Sequence, residues 1–248
     1  MEEYAITIEH LTKQYQDVKA LDDLTLQVKK GELFGLLGPN GAGKTTTINI
    51  LCGLQKPTNG TATICGYDVM KESPRIKELI GVCIQETAVY PFLTGAENIS
   101  LFGNLHAMDK EALKNRSDLL LEKMGLVEDA RRKAEKYSGG MKRRLSLTLA
   151  LIHDPQVAFL DEPTIAMDPQ SRHAVWDFFK ELKAQNKTII LTTHYMEEAE
   201  ELCDRVGIID HGRLIALGTP KELIAQNKVK NLEEVFIELT GRKMREEL

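Results

Sequence analysis

One stretch of the chain decides its fold: the apolar run Leu33-Phe34-Gly35-Leu36-Leu37, followed directly by Gly38-Pro39-Asn40-Gly41-Ala42-Gly43-Lys44-Thr45. The second part fits the pattern G-x-x-x-x-G-K-(S/T), in which glycines let the backbone curl so that several N–H groups face one anion. A helix running from this loop toward Leu51 adds the partial positive charge of its N-terminus. The stretch therefore predicts a strand, a phosphate-binding loop and a helix, with Lys44 on the β- and γ-phosphates and the Thr45 hydroxyl on Mg²⁺.

Further short apolar runs predict strands at residues 5–9, 24–28, 61–64, 80–84, 157–160, 188–191, 206–209 and 214–217. The runs at 33–37, 157–160 and 188–191 are apolar on both faces, which is typical of a parallel sheet covered by helices. The early strands follow one another too closely for helices between them, whereas residues 94–152 carry almost no strand signal. We therefore expect an α/β fold: a mostly parallel sheet sandwiched by helices, an N-terminal antiparallel β subdomain and a helical insertion.

Polar residues follow directly after several of these apolar runs. Gln85 follows 80–84, Asp161 and Glu162 follow 157–160, and His194 follows 188–191 after two threonines. Ligands of open parallel sheets lie outside the carboxyl ends of the strands, so these residues and the phosphate loop should converge on one nucleotide. Taken singly, each is more often a turn or a surface residue; it is the combination with the loop that predicts a site.

Roles for these residues follow from their chemistry. Asp161 would hold a hydrated Mg²⁺, and Glu162 would point at a water in line with the γ-phosphate, as general base or water orienter. His194 would hydrogen-bond the γ-phosphate, and Gln85 would reach the metal or the water.

A second anion site is predicted at Ser138-Gly139-Gly140. Ser138 is a good N-cap for the helix that follows, and a capped helix N-terminus offers free N–H groups and positive potential. One nucleotide does not obviously reach both this site and the phosphate loop. The economical interpretation is that two copies meet head to tail, each capping the other's nucleotide. The basic residues Lys142-Arg143-Arg144 that follow fit a solvated helix face.

Composition excludes several classes of protein. The 248 residues carry 32 Lys and Arg against 37 Asp and Glu, a net charge of 32 − 37 = −5, which disfavours a general nucleic-acid coat. No apolar run approaches the roughly 20 residues of a membrane-spanning helix, and the acidic start Met1-Glu2-Glu3-Tyr4 is unlike a secretory signal. The four scattered cysteines form no C-x-x-C pair and fit reduced, buried thiols.

Together, these motifs resemble the ATP-binding cassette (ABC) ATPases, the motor subunits of ABC transporters, over nearly the whole chain. The resemblance implies a P-loop NTPase core and a set of named motifs. These are Walker A at Gly38, Pro39, Asn40, Gly41, Ala42, Gly43, Lys44, Thr45 and Thr46, the Q-loop at Gln85, the signature at Ser138, Gly139 and Gly140, Walker B at 157–161 with Glu162 next, the D-loop around Asp168 and the switch histidine His194.

The resemblance also implies cofactors and partners. ATP and Mg²⁺ are expected, with Thr45, Gln85 and Asp161 on the metal, and Tyr15 fits the aromatic that the family stacks on adenine. A second cassette, identical or different, and a separate transmembrane permease are expected, with residues 87–95 facing the permease and no nucleic-acid partner. The expected location is cytoplasmic, peripheral on the inner face of the membrane.

Some positions depart from the family pattern. Tyr137 and Met141 stand at the ends of the usual L-S-G-G-Q. Ile165 stands where the family commonly has a small or hydroxyl residue, and Ala166 stands where it commonly has Gly or Ser. The Met-Lys-Arg-Arg run and the segment 232–241 resemble the ABC-2 branch, which includes drug, polysaccharide, lipid and sodium-ion exporters. The periodic apolar residues of that last segment predict an amphipathic helix capped by Gly241.

Two other functions are weighed against the transport ATPase. A non-transport ABC ATPase acting on DNA or the ribosome would carry long coiled coils or a second cassette, and the chain shows neither. A GTPase or a small nucleotide kinase would share the phosphate loop, but both N-K segments (186–189 and 227–230) lack the aspartate of N-K-x-D. We expect three parts: a nucleotide-binding core at 1–86 and 156–220, a helical signature-bearing subdomain at 87–155, and a C-terminal helical extension at 221–248.

Overall fold

A computed structural model of the protein describes residues 4–86 and 88–241. Three predictions fall partly on residues outside these ranges. The acidic start (1–3), one residue of the segment expected to face the permease (87) and the end of the C-terminal extension (242–248) lie outside the described residues.

A six-stranded sheet forms the central layer, in the order β10-β9-β3-β8-β7-β6. Its members are parallel to their neighbours except β10, which pairs antiparallel with β9. They are β3 (Leu33–Leu37), β6 (Ile80–Cys83), β7 (Val157–Asp161), β8 (Thr188–Thr192), β9 (Arg205–Asp210) and β10 (Arg213–Gly218). Every residue of β3, β7 and β8 is buried, as a sheet covered on both faces requires.

A second sheet is wholly antiparallel and confirms the predicted N-terminal β subdomain. It consists of β1 (Tyr4–Tyr15), β2 (Val18–Lys29), β4 (Asn59–Ile64) and β5 (Tyr67–Asp68), in the order β2-β1-β4-β5. Leu24, Leu26 and Val28 of β2 are buried and alternate with exposed residues, so one face of this strand is wet. The strand β5 was not predicted because two residues carry no periodic signal.

Helices cover both sheets and fill the insertion. They are α1 (Lys44–Leu51), α2 (Ser73–Leu79), α3 (Gly95–Leu105), α4 (Lys110–Lys123), α5 (Gly139–Leu151), α6 (Pro169–Ala184), α7 (Met196–Leu202), α8 (Pro220–Asn227) and α9 (Leu232–Thr240). Helices α3, α4 and α5, with a 3₁₀ turn at Ala134–Lys136, confirm the helical character of residues 94–152. Thr94, Asp109 and Ser138 cap the three helices through side-chain oxygens.

Two apolar cores hold these layers together. One lies between the antiparallel sheet, α1 and one face of the main sheet, and the other lies between the opposite face, the inserted helices, α6 and α9. Of the four cysteines, Cys52, Cys83 and Cys203 are buried in these cores as predicted, while Cys65 is only partly buried.

The C-terminal helix α9 is part of the second core. Leu232, Val235 and Phe236 are fully buried, and Gly241 ends the helix in the left-handed conformation, as the sequence predicts. The backbone N–H of Leu232 donates to Glu200 of α7 at 3.1 Å, so α9 is also tied to the segment that follows β8. Within the described ranges, no helix has both the length and the apolar character needed to cross a bilayer.

Phe236→Ala tests whether α9 stabilises the fold. Removal of this fully buried ring should lower the free energy of unfolding by about 3–5 kcal/mol, because the transfer and cavity terms add. Leu105→Ala is the matched control, since Leu105 is 72% exposed and should change the value by less than about 0.5 kcal/mol. Urea unfolding measures both; equally small losses would show that α9 is not part of the folding unit.

Candidate active site

The carboxyl ends of β3, β8, β7 and β6 open into one cleft of about 1120 Å³. These four strands are parallel neighbours, so the loops that follow them meet at one edge of the sheet. The predicted residues that line the cleft are Asn40, Gly41, Ala42, Gly43, Lys44, Thr45, Thr46, Gln85, Asp161, Glu162 and His194. The structure therefore brings the loop and the residues after the other three strands together.

Two glycines set the position of the phosphate loop. A Cβ atom at Gly38 would lie 2.3 Å from the carbonyl oxygen of Ile209 in β9, and one at Gly43 would lie 2.6 Å from that of Ala20 in β2. Gly43 also has a φ of +110°, which L side chains rarely adopt, directly before α1. The loop can therefore lie this close to both sheets only with glycine at these positions.

Lys44 lies inside the curl of the loop. Its Nζ donates hydrogen bonds to the carbonyl oxygens of Gly38 at 2.6 Å and Pro39 at 3.2 Å, the two loop residues that the cleft lining does not include. Burial lowers the pKa of Lys44, and the opposing charges of Glu162 and Asp161 only partly offset this. The Lys44 ammonium group is thus placed to bind a phosphate in the cleft that the Asp161 and Glu162 carboxylates also line.

Asp161 ends β7 and is fixed by β8. It pairs in register with Thr192, whose hydroxyl donates to the Asp161 carboxylate. The Thr192 carbonyl and hydroxyl oxygens also accept from the backbone N–H of Glu162, at 3.0 and 3.2 Å. One threonine therefore orients both acidic residues.

Glu162 has an unusual backbone conformation. Its φ is +50°, in the left-handed region, which costs a non-glycine residue about 1–3 kcal/mol and persists only where neighbours over-determine it. The conformation turns the chain sharply after β7 and brings the carboxylate into the cleft beside His194.

Glu162 and His194 form a pair. His194 Nδ1 donates to Glu162 Oε2 at 2.9 Å. Burial alone would raise the pKa of Glu162, but the His194 hydrogen bond and the charges of His194, Lys44 and Arg143 hold it below its ordinary value. Glu162 is thus a carboxylate near neutral pH, the form that can accept a proton or a hydrogen bond from water.

The signature residues and Asp168 lie apart from the cleft lining. Ser138 caps α5 by accepting from the Met141 N–H at 3.2 Å, and Asp168 caps α6 by accepting from the Ser171 N–H at 2.9 Å. Ser138, Gly139 and Asp168 are exposed. A Cβ atom at Gly140 would lie 3.2 Å from the Ala166 carbonyl, so the signature adjoins the D-loop of its own chain.

Tyr15 also lies apart from the cleft lining. It ends β1, is 40% exposed, donates its hydroxyl to Gln55 and has the Lys13 ammonium 4.8 Å from its ring centre. The residue is thus partly exposed, and the adenine contact stays a prediction.

One buried acid was missed by the sequence analysis. Glu198 of α7 is fully buried, and its Oε1 accepts from the Thr164 hydroxyl and the Trp176 indole N–H, each at 2.8 Å. It thereby joins the turn after Glu162, helix α6 and the helix after His194. A run of glutamates in a short helix gives no sign of which one is buried.

The expectation of a solvated face at Lys142-Arg143-Arg144 is wrong for its central residue. Arg143 is 2% exposed, while its two neighbours are half-buried. Helix α5 is buried along most of its length, and Ser146 and Leu147, three and four residues after Arg143, share its helix face. The burial of Arg143 was not predicted because arginine is charged and is rarely buried.

Comparison with known proteins agrees with this geometry. A family model described as "ABC transporter" matches residues 21–165. The linearmycin resistance ATP-binding protein LnrL of Bacillus subtilis (strain 168) is 43% identical over 237 residues, which are 92% of this chain and 76% of that protein. The Nod factor export ATP-binding protein I of Cupriavidus pinatubonensis (strain JMP 134 / LMG 1197) is 42% identical over 231 residues, 93% of this chain and 71% of that protein.

A solved structure is similar over most of the fold. It is the dimeric, post-hydrolysis state of the ATP-binding cassette MJ0796 bound to ADP and Pi. The TM-score is 0.79 at 27% identity, and the match covers 86% of this chain and 98% of that one.

The chain belongs to the ABC transporter family. It is the ATP-binding and ATP-hydrolysing subunit of such a transporter.

The departures from the family pattern have local explanations in two places. Tyr137 is buried and donates its hydroxyl to the Asp129 carbonyl at 2.7 Å, which ties the signature to the preceding loop. Ala166 has a φ of +60°, the conformation in which the glycine common in this family is least strained. Ile165 and Ala166 both line the cleft.

Glu198→Ala and Glu198→Gln separate the hydrogen bonds of this residue from its charge. Alanine leaves the buried Thr164 and Trp176 donors without an acceptor and should cost about 1–3 kcal/mol per donor, whereas glutamine retains an acceptor oxygen. Urea unfolding followed by the fluorescence of Trp176, the single tryptophan, measures both.

The comparison of Glu198→Gln with the wild type also predicts how the free energy of unfolding depends on pH. Burial raises the pKa of Glu198, so its contribution to stability is full below its ordinary value of 4.5 and is lost as pH rises through the folded-state value. Glu198→Gln should therefore become increasingly more stable than the wild type as pH rises above 4.5. A difference that does not vary with pH would contradict the assignment.

Proposed function

We propose that the chain drives an exporter: two cassettes close on ATP, hydrolysis reopens them, and a permease converts this motion into transport. One observation carries the mechanism, namely that Lys44, Asp161 and the Glu162–His194 pair meet in one cleft, while the signature serine is exposed and does not line it. Export rests on the relatives, one named for antibiotic resistance and one for Nod factor export.

The exposed signature supports a head-to-tail pair. Ser138 and Gly139 present a capped helix N-terminus to solvent, and they do not line the cleft of their own chain. A helix N-terminus favours an anion, so a second copy can supply the cap that the cleft lacks. Asp168 is exposed on the adjoining loop and would lie at the same interface. The MJ0796 cassette is a dimer in its ADP and Pi state.

The roles of the cleft residues follow from their placement. The loop N–H groups and Lys44 hold the phosphates, Glu162 accepts a proton or a hydrogen bond from the attacking water, and Gln85 borders the same space. His194 donates a hydrogen bond to the Glu162 carboxylate and would hydrogen-bond the γ-phosphate of bound ATP.

The donor set fits Mg²⁺. Thr45, Gln85 and Asp161 offer a hydroxyl, an amide and a carboxylate, all oxygen ligands of the kind that hard cations take. Within the described ranges, no group of three or more His, Cys, Asp or Glu forms a metal site of its own, which suits a cation held mainly by nucleotide phosphates and water. When bound, Mg²⁺ neutralises charge that develops on the phosphates.

The three-part division and the location complete the proposal. Residues 1–86 and 156–220 bind nucleotide, 87–155 cap the partner's nucleotide and face the permease, and 221–248 form the C-terminal extension. Tyr90 and Phe92 in the second part are exposed aromatic residues suited to a protein contact. The proposed location is the cytoplasmic, inner face of the cell membrane.

Glu162→Gln tests the catalytic assignment. The variant should bind ATP but lose about 10²–10⁴ in turnover, because an amide cannot take the proton. Phosphate release measures turnover, and light scattering should show a dimer that persists with ATP. Asp177→Asn, an exposed acid on α6, is the control and should turn over as the wild type does. Normal turnover by Glu162→Gln would reject its role as the base.

Tyr15→Ala tests the adenine contact. Base stacking contributes about 1–3 kcal/mol, so the KM for ATP should rise roughly fivefold or more with little change in kcat. Tyr15→Phe keeps the ring and loses only the Gln55 hydrogen bond, so its KM should stay near that of the wild type. Equal KM values for the alanine and phenylalanine variants would remove the stacking claim.

A further inference from the structure

Arg143 is a buried cation whose hydrogen bonds run to backbone carbonyls around the active site. Its Nε donates to Pro163 O at 3.3 Å, its Nη1 donates to Ile84 O at 2.5 Å and to Gln85 O at 3.1 Å, and its Nη2 donates to Asp161 O. Only 2% of the residue is exposed. The planar fork of the guanidinium suits several acceptors held in fixed directions, which a lysine ammonium does not reproduce.

The four acceptors belong to two functional segments. Asp161 O and Pro163 O lie on either side of Glu162, the residue with the left-handed φ of +50°. Ile84 O and Gln85 O lie where β6 ends and the chain enters the cleft. One side chain therefore holds the backbone on both sides of Glu162 and, on the same guanidinium, the backbone that carries Gln85.

Arg143 also connects these segments to the signature. It lies on α5, five residues after the cap Ser138, so its hydrogen bonds fasten the signature helix to β6 and β7. The exposed cap Ser138 and the buried Arg143 therefore lie on successive turns of one helix.

We propose that Arg143 is a positioning residue for hydrolysis, which sets Gln85 and Glu162 relative to each other and couples them to the signature helix. The coupling part rests on the proposed dimer: α5 caps the partner's nucleotide, so Arg143 links one ATP site to the other. The positioning part concerns a single chain and does not need the dimer.

Arg143→Lys and Arg143→Gln test the positioning, with Arg144→Lys as the matched control. Arg144 is on the same helix, but its Nη1 donates to the Met124 and Gly125 carbonyls at 2.6 and 3.4 Å, at the end of α4. Both Arg143 variants should lose roughly 10–100-fold in kcat, as is usual when a supporting partner of a reactive group is removed. Their KM for ATP should change by less than about threefold, because the phosphate loop is untouched. Arg144→Lys should lower the melting temperature without this loss of kcat.

Amide hydrogen exchange tests whether Arg143 fixes these backbone segments, and it does not depend on ATP hydrolysis. In the nucleotide-free protein, Arg143→Lys should exchange about tenfold faster than the wild type at 84–86 and 161–165, and Arg144→Lys should not. Three outcomes would overturn the proposal and leave Arg143 as a core residue only. They are a wild-type kcat in both Arg143 variants, equal kcat losses in the Arg143 and Arg144 variants, and failure of both Arg143 variants to fold. A wild-type protein that binds but does not hydrolyse ATP would instead reject the proposed function, and the exchange rates would still decide the role of Arg143.

Discussion

Asp161 and Thr192 stand opposite each other at the ends of two buried parallel strands, and the rest of the site depends on this pairing. Thr192 donates to the Asp161 carboxylate and accepts from the Glu162 N–H, and two residues later the chain presents His194 to Glu162. Side chains alternate along a strand, so a slip of one residue would turn each of these groups to the opposite face. The apolar packing of β7 and β8 on both faces prevents that slip.

The active site concentrates charge in a partly buried space, and neighbours decide which form each group takes. Burial lowers the pKa of Lys44 while the two acids oppose the effect. Burial also raises the pKa of Glu162, but the His194 hydrogen bond and the neighbouring positive charges together outweigh it. Such an arrangement is already organised before a substrate arrives, which is how preorganised dipoles and charges lower a barrier without reorganising during the reaction. The strained backbone of Glu162 persists because both of its flanks are hydrogen-bonded.

Helix α5 combines two opposite environments within a few residues. Its first turn is exposed and capped by Ser138, while its second turn buries Arg143 among backbone carbonyls. A helix is stiff over this length, so a displacement at the exposed end is transmitted to the buried end. The same element can therefore face a partner's nucleotide and support the machinery of its own chain.

The sequence by itself determined the elements with strong local signals. The phosphate loop, the buried strands, the antiparallel start, the helical insertion and the amphipathic α9 all follow from glycine spacing and hydrophobic period, and the residues after four parallel strands converge because of topology alone. Only the tertiary structure decided which charged residues are buried. Arg143 and Glu198 are shielded by segments distant in the chain, and the left-handed turn at Glu162 is held by hydrogen bonds from other elements. A local pattern records the propensity of a residue for its own helix or strand; it does not record the partners that long-range folding supplies.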